Sequence, residues 1–140
     1  MVPRGAGIVV IRHVGNETKF LGLIGPDFLQ EKHDGIYDIP KGMAEPNEDM
    51  WDCAVRETYE ETSLIIDKSQ IVCGPFVHGQ LTVWCCKTND EPALRLNPKL
   101  NIYEHEGYVW LSGNDLLFDA YNYLMPCVAW AMSETSSGNN

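Results

Sequence analysis

Positive charge is scarce in this chain. Its 140 residues hold 10 lysines and arginines against 20 aspartates and glutamates, a formal charge of −10. Affinity for duplex nucleic acid comes largely from neutralising phosphates, so duplex DNA is not an expected partner. Long apolar runs are missing too. No stretch approaches the ~20 residues that cross a bilayer, and residues 1–5 lack a signal peptide's layout, so no membrane partner is expected. Cysteine is too irregular for a staple: Cys53, Cys73, Cys85, Cys86 and Cys127 form an odd set without repeated spacing. That pattern fits reduced thiols in a cytoplasmic compartment rather than a disulfide framework or zinc site. Internal repeats and long linkers are also absent, and nothing specifies an oligomeric state. What is present is a core: 44% apolar residues and 10% aromatics, in a length typical of one domain.

Residues 6–12 are β-branched and read as a buried strand, followed by a turn at 14–17 and a second strand at 19–24. Residues 25–40 read as a polar loop that leads into a short strand near 36–39. A helix is expected from Asn47, as its cap, to Thr62, with Ser63 ending it. Strands follow at 71–78 and 81–87, a loop at 88–99, and a strand at the end of 103–111. A closing helix is expected over 114–132. The expected organisation is one domain over 1–132 and a polar tail over 133–140. Strands mixed with two well-spaced helices give an α/β fold with a mixed sheet.

The chemistry concentrates in residues 42–64. At 100° per residue, Trp51, Ala54, Val55 and Thr58 form the expected core-facing stripe. Glu57, Glu60 and Glu61 gather on the other side. Like charges at this spacing weaken a helix by ~0.2–0.5 kcal/mol per pair, so something should offset them. A hard divalent cation such as Mg²⁺ or Mn²⁺ suits carboxylate oxygens. A solvated helix face is the plainer reading of such a stripe taken alone. Against it stand Arg56, within reach of Glu48, and the preceding Pro40-Lys41-Gly42, read as a tight turn that brings a backbone carbonyl close.

Gly42, Glu48, Arg56-Glu57, Glu60-Glu61 and Leu64 resemble the Nudix box, G-x5-E-x7-R-E-U-x-E-E-x-G-U, with U a large aliphatic residue. Thr58 replaces an aliphatic position and Ser63 the final glycine. The resemblance implies an α/β/α sandwich and a metal-dependent hydrolase of nucleoside diphosphates linked to another group. It implies metal ligation by Glu57, Glu60 and Glu61, with the Gly42 carbonyl as a further ligand, and support from the Arg56–Glu48 pair. The acidic balance then makes sense, because cations rather than a basic patch meet the phosphates.

Asp34-Gly35-Ile36, Pro40-Lys41-Gly42, Glu45-Pro46 and Glu104-His105-x-x-Tyr108-x-Trp110-Leu111 are similar to the asymmetric diadenosine tetraphosphate hydrolases. That resemblance implies water attack giving ATP and AMP, with Glu104 as a further metal ligand or base and Glu106 as the alternative. Lys41 and Arg4 suit substrate phosphates or a solvated surface. Tyr37, Tyr103 and Tyr108 suit base stacking or half-buried strand positions. His33, His78 and His105 suit acid–base steps or structural places. Trp84 and Trp110 read as core, and Cys85-Cys86 as packing. The partner expected is a small nucleotide. An RNA 5′ end, ADP-ribose, and a nucleotide sensor without turnover are the competing readings.

Overall fold

The computed structural model describes residues 4–136; residues 1–3 and 137–140, the second half of the expected tail, lie outside the described residues. β1 (Gly5–Val14) is the central strand of a seven-stranded mixed sheet. It runs parallel to β6 (Leu81–Lys87), from Gly5 opposite Leu81 to Ile11 opposite Lys87. Its β-branched run is buried on both faces, as a strand between two layers requires. β2 (Glu17–Ile24) returns antiparallel after a turn at Gly15-Asn16. β5 (Ile71–His78) flanks β6, and helices cover both faces of the sheet.

The site depends on a change of partner within β1. Residues 11–14 pair with β2, whereas residues 5–7 pair with β4 (Lys41–Met43). β2 beyond Phe20 pairs instead with β7 (Gly107–Leu111) and β3 (Tyr37–Asp38). Residues 37–43 therefore bridge two strands that have parted. The crossing is close. A Cβ on Gly7 would lie 2.6 Å from both the Pro40 carbonyl oxygen and Lys41 Cβ, so only glycine lets β4 lie there.

α2 (Met50–Thr62) packs on one face, over Ala6, Ile8, Val10, Trp84 and Cys86. α3 (Gly113–Asp119) and α4 (Met125–Ser136) pack on the other, over Val9, Ile11, Val83 and Cys85. The alternation along β1 and β6 supplies both layers from the same strands.

Several expected boundaries move. α1 (Asp27–His33) stands where a loop was expected. It buries no residue, so no apolar stripe announces it, although Pro26 precedes it and Asp34-Gly35 ends it. The cap of α2 is Asp49, whose carboxylate accepts from Trp51 N and Asp52 N. Asn47 sits at φ +65° in a turn closed by Glu48 N–H to the Glu45 carbonyl, which delays the helix. Ser63 ends α2 at φ +65°, the geometry that a glycine adopts more easily. Lys41-Gly42 is strand rather than turn. The closing helix is broken, because Tyr121 N–H donates to the Tyr37 carbonyl at 2.8 Å and a single 3-10 turn (Asn122–Leu124) intervenes. α4 then runs through Ser136, four residues past the expected boundary of the domain.

The core stripe of α2 is also rotated. Cys53, Ala54, Thr58, Glu61 and Thr62 are buried, while Trp51 and Val55 are half-buried. Trp51 meets Trp84 edge-on, with ring centroids 5.2 Å apart. Trp51→Ala is expected to cost ~2–3 kcal/mol in urea unfolding, below the ~3–5 of a fully buried ring. An unchanged midpoint would show that the Trp51–Trp84 contact contributes nothing.

Candidate active site

Arg56, on α2, is the hub of the acidic cluster. Its Nε and Nη2 grip the two oxygens of Glu48 at 2.8 and 2.9 Å, and Nη2 also donates to the Met43 carbonyl at 3.0 Å. Nη1 reaches Glu57 at 2.9 Å and Glu60 at 3.3 Å. Glu48 in turn accepts from Glu45 N–H. One guanidinium thus ties β4, the turn at 45–48 and α2 together, as its forked donors allow. Hydrogen bonds from Arg56 hold the Glu48 carboxyl below its ordinary pKa, and Glu48 raises the Arg56 pKa in return.

Glu61 is 7% exposed, on the buried side of α2 rather than on an open face. Its Oε1 is buried without a hydrogen-bond partner among the described residues. Burial first, then the charges of Asp38, Glu104 and Glu57, push its pKa well above that of an ordinary glutamate, with Lys41 opposing. Burial also raises Glu57. Glu57 and Glu61 thus stand close enough for each charge to disfavour the other.

Gly42 explains why Glu57 fits. A Cβ there would sit 2.1 Å from the Glu57 carboxyl carbon. Its carbonyl oxygen accepts from the Cys53 thiol at 3.5 Å. Gly42→Ala is expected to displace the Glu57 carboxylate, the free end of a flexible side chain. Activity should fall by about tenfold or more, while stability stays within ~1 kcal/mol. Parallel melts and initial rates check this, and a fully active variant would mean that the close approach has no consequence.

A second cluster sits beside the first. Asp38 is 6% exposed and receives Lys41 Nζ at 3.1 Å, His105 Nε2 at 2.9 Å and its neighbour Ile39 N–H at 2.8 Å. Burial pushes the Asp38 pKa up, but Lys41 and His105 outweigh it and hold it below the usual value. The Lys41 pKa is raised, because the Asp38 charge overcomes the cost of burial. Lys41 is thus partnered, not a free surface charge. It also lies over the Tyr123 ring, 5.6 Å from the centroid. A cavity of about 470 Å³ adjoins Lys41 and Gly42, walled by Met43, His78, Gln80, Leu81 and Tyr123.

The other expected residues are dispersed. Arg4 is exposed at the rim of a separate cavity of about 420 Å³ beside Met43 and Glu45. Tyr37 packs on the core beside α3 and α4. Tyr108 donates its hydroxyl to Glu91 at 2.9 Å. Tyr103 is 58% exposed, one residue before the exposed Glu104, whose charge acts on Glu61. Glu106 is exposed, with its N–H on the Ile24 carbonyl. Sequence reasoning missed Asp38 and Tyr123 and left His105 among three unassigned histidines. Only the adjacency of Asp38 to Pro40-Lys41-Gly42 could have drawn attention to it.

Among the described residues no three His, Cys, Asp or Glu side chains already form a cage for a metal ion. Arg56 explains part of this, because it draws Glu57 and Glu60 onto itself. The donor set nevertheless fits a hard divalent cation. It offers carboxylate oxygens, one of them buried and without a hydrogen-bond partner among the described residues.

A mixed sheet between helices, with a carboxylate cluster tied to an arginine, places the chain among α/β sandwich proteins with an acidic site. Residues 1–128 match the family model described as NUDIX domain, so the chain belongs to the Nudix family and hydrolyses phosphoric anhydride bonds. A bis(5′-nucleosyl)-tetraphosphatase (asymmetrical) of Caenorhabditis elegans is 28% identical over 129 residues, covering 84% of each chain. The crystal structure of a C. elegans Ap4A hydrolase binary complex shares the fold with a TM-score of 0.70 at 24% identity, covering 98% of this chain and 99% of that one. The MutT protein from Methanosarcina mazei Go1 matches with a TM-score of 0.66 at 18% identity, covering 97% and 98%.

Proposed function

We propose that this Nudix hydrolase cleaves diadenosine polyphosphates, converting diadenosine tetraphosphate to ATP and AMP, in the cytoplasm. Glu57, Glu60, Glu61 and Glu104 would hold Mg²⁺ or Mn²⁺, with the Gly42 carbonyl as a further donor. The observation that carries the reading is Glu61, a buried carboxyl whose Oε1 has no hydrogen-bond partner among the described residues and which stands beside Glu57, where a cation would relieve both. A divalent cation there supplies charge stabilisation at the phosphorus and acidifies a bound water.

The chain's own residues do the positioning. Arg56, braced by Glu48, aims Glu57 and Glu60. Lys41 presents a fixed ammonium to a phosphate, and Arg4 adds charge at the rim. The cavity beside Lys41 receives one nucleoside, with the Tyr123 ring as a stacking surface. Of the expected tyrosines, Tyr103 keeps an exposed ring for a second base, whereas Tyr37 and Tyr108 are engaged with the protein. The C. elegans relative bears the name of a tetraphosphatase, which favours a dinucleotide over ADP-ribose. The net charge of −10 disfavours an RNA strand.

A hydrolysis screen with Mg²⁺ and with Mn²⁺ tests this, comparing diadenosine tetraphosphate, ADP-ribose, dNTPs and 5′-triphosphorylated RNA. Fastest release of ATP plus AMP from the dinucleotide is expected. Preference for RNA would keep the site and overturn the substrate.

A further inference from the structure

We propose that Asp38 is a positioning residue, whose single buried carboxylate sets Lys41 and the Glu104 segment in register with the carboxylates of α2. The inference rests on the roles proposed above for Lys41 and Glu104. It starts from connectivity. Asp38 lies on β3, Lys41 on β4, and His105 on the irregular stretch between Tyr103 and β7, so the carboxylate joins directly three segments that are not paired with one another. Oδ1 takes Ile39 N–H and Lys41, while Oδ2 takes His105 and Lys41, which fills the acceptor capacity of the group.

Each contact constrains something the reaction needs. A lysine is a point charge on a flexible four-carbon stem, and fixing it costs side-chain entropy. Asp38 absorbs that cost in the folded protein, before any substrate arrives. It also balances the ammonium, so Lys41 acts by placement more than by free charge. The loop between β6 and β7 is long. Its backbone is held early, where Ala93 N–H donates to the Thr62 carbonyl at 2.7 Å, and late, where Glu106 N–H donates to the Ile24 carbonyl at 2.8 Å. Glu104 falls between these anchors and is exposed, but its neighbour His105 is buried, at 7%. The His105–Asp38 hydrogen bond therefore decides where Glu104 stands relative to Glu61. A purely structural clamp would affect melting alone.

Three variants of the full chain separate these cases: Asp38→Asn, His105→Ala and His105→Gln, the last keeping a donor near the Nε2 position. Mn²⁺ affinity is read without substrate from the EPR signal of free Mn²⁺. KM and kcat are read on diadenosine tetraphosphate, and melts confirm folding. His105→Ala is expected to weaken Mn²⁺ binding by about 10–100-fold, as loss of a supporting hydrogen bond does at metal sites, and His105→Gln to restore it. Asp38→Asn, which keeps the size and the acceptor for Ile39, should raise KM by about tenfold with a smaller change in kcat. Wild-type KM in a folded Asp38→Asn protein overturns the proposal, and this nearly isosteric arm decides even if His105→Ala does not fold. Wild-type Mn²⁺ affinity in a folded His105→Ala protein overturns it too. Glu61→Gln is the control. If it abolishes Mn²⁺ binding while the Asp38 and His105 variants behave as wild type, this inference alone falls; if Glu61→Gln also binds Mn²⁺ normally, the proposed metal site falls with it.

Discussion

Glu61→Gln is expected to remove at least ~100-fold of the turnover and, in metal-free buffer, to raise the melting temperature. The first effect follows from its proposed place. It would lose one anionic oxygen from the cluster that holds the cation, and changes even to supporting groups of metal sites cost ~10–100-fold. The second follows from burial. The charged form of Glu61 is disfavoured by burial and by the charges of Asp38, Glu104 and Glu57, and a neutral amide of the same shape carries no such penalty. For a domain of this size each kcal/mol relieved corresponds to about 3–5 °C.

The pH dependence has a definite sign. The folded protein holds the Glu61 proton more tightly than the unfolded chain does. The favourable contribution is therefore complete below the ordinary value of 4.5 and is lost as pH rises through the elevated folded value. Wild-type protein without metal should lose stability over that rise, and the variant should lose less. Melts in chelator from pH 4 to pH 8, paired with initial rates in Mg²⁺, check both effects. Near-normal turnover would remove Glu61 from the site, and an unchanged melt would mean that solvent reaches the carboxyl more freely than its burial implies.

Arg56→Lys is the second large effect. Arg56 donates from three nitrogens to Glu48, Glu57, Glu60 and the Met43 carbonyl, in directions set by a planar fork. A lysine keeps the charge but offers one donor group at the end of a flexible stem, so at most one or two of these contacts survive. kcat is expected to fall ~10–100-fold as Glu57 and Glu60 lose their aim. Stability should fall by only ~1–2 kcal/mol, because the pairs are partly solvated. Acid sensitivity should change too. Arg56 depresses the Glu48 pKa, and that contribution is present above the ordinary 4.5 and lost as pH falls through the lower folded value. In Arg56→Lys this acid loss shrinks. Wild-type kcat in a folded Arg56→Lys protein would show that charge alone, not the fork, organises the carboxylates.

The local signals were legible because they are carried by neighbours in sequence. The strands Ile71–His78 and Leu81–Lys87 stand where they were expected. Arg56 and Glu48 meet because eight residues of turn and helix bring them to one side. α1 was missed because a seven-residue helix that buries nothing leaves no apolar periodicity. The closing helix was read as continuous because its break is made by a distant group, the Tyr37 carbonyl that captures Tyr121 N–H.

The sequence by itself determined which residues are acidic, how they are spaced on α2, and that an arginine and a glutamate could brace them. Those are properties of a helical period and a composition. Only the tertiary structure decided that Glu61 is buried rather than solvated, since α2 packs against β1 and against β4, which β1 holds in place. It alone decided that Lys41 is held by Asp38, and that His105, 67 residues further along, completes the same cluster. Pairwise contacts across such separations depend on where the sheet changes partner, and no local period of the chain encodes that.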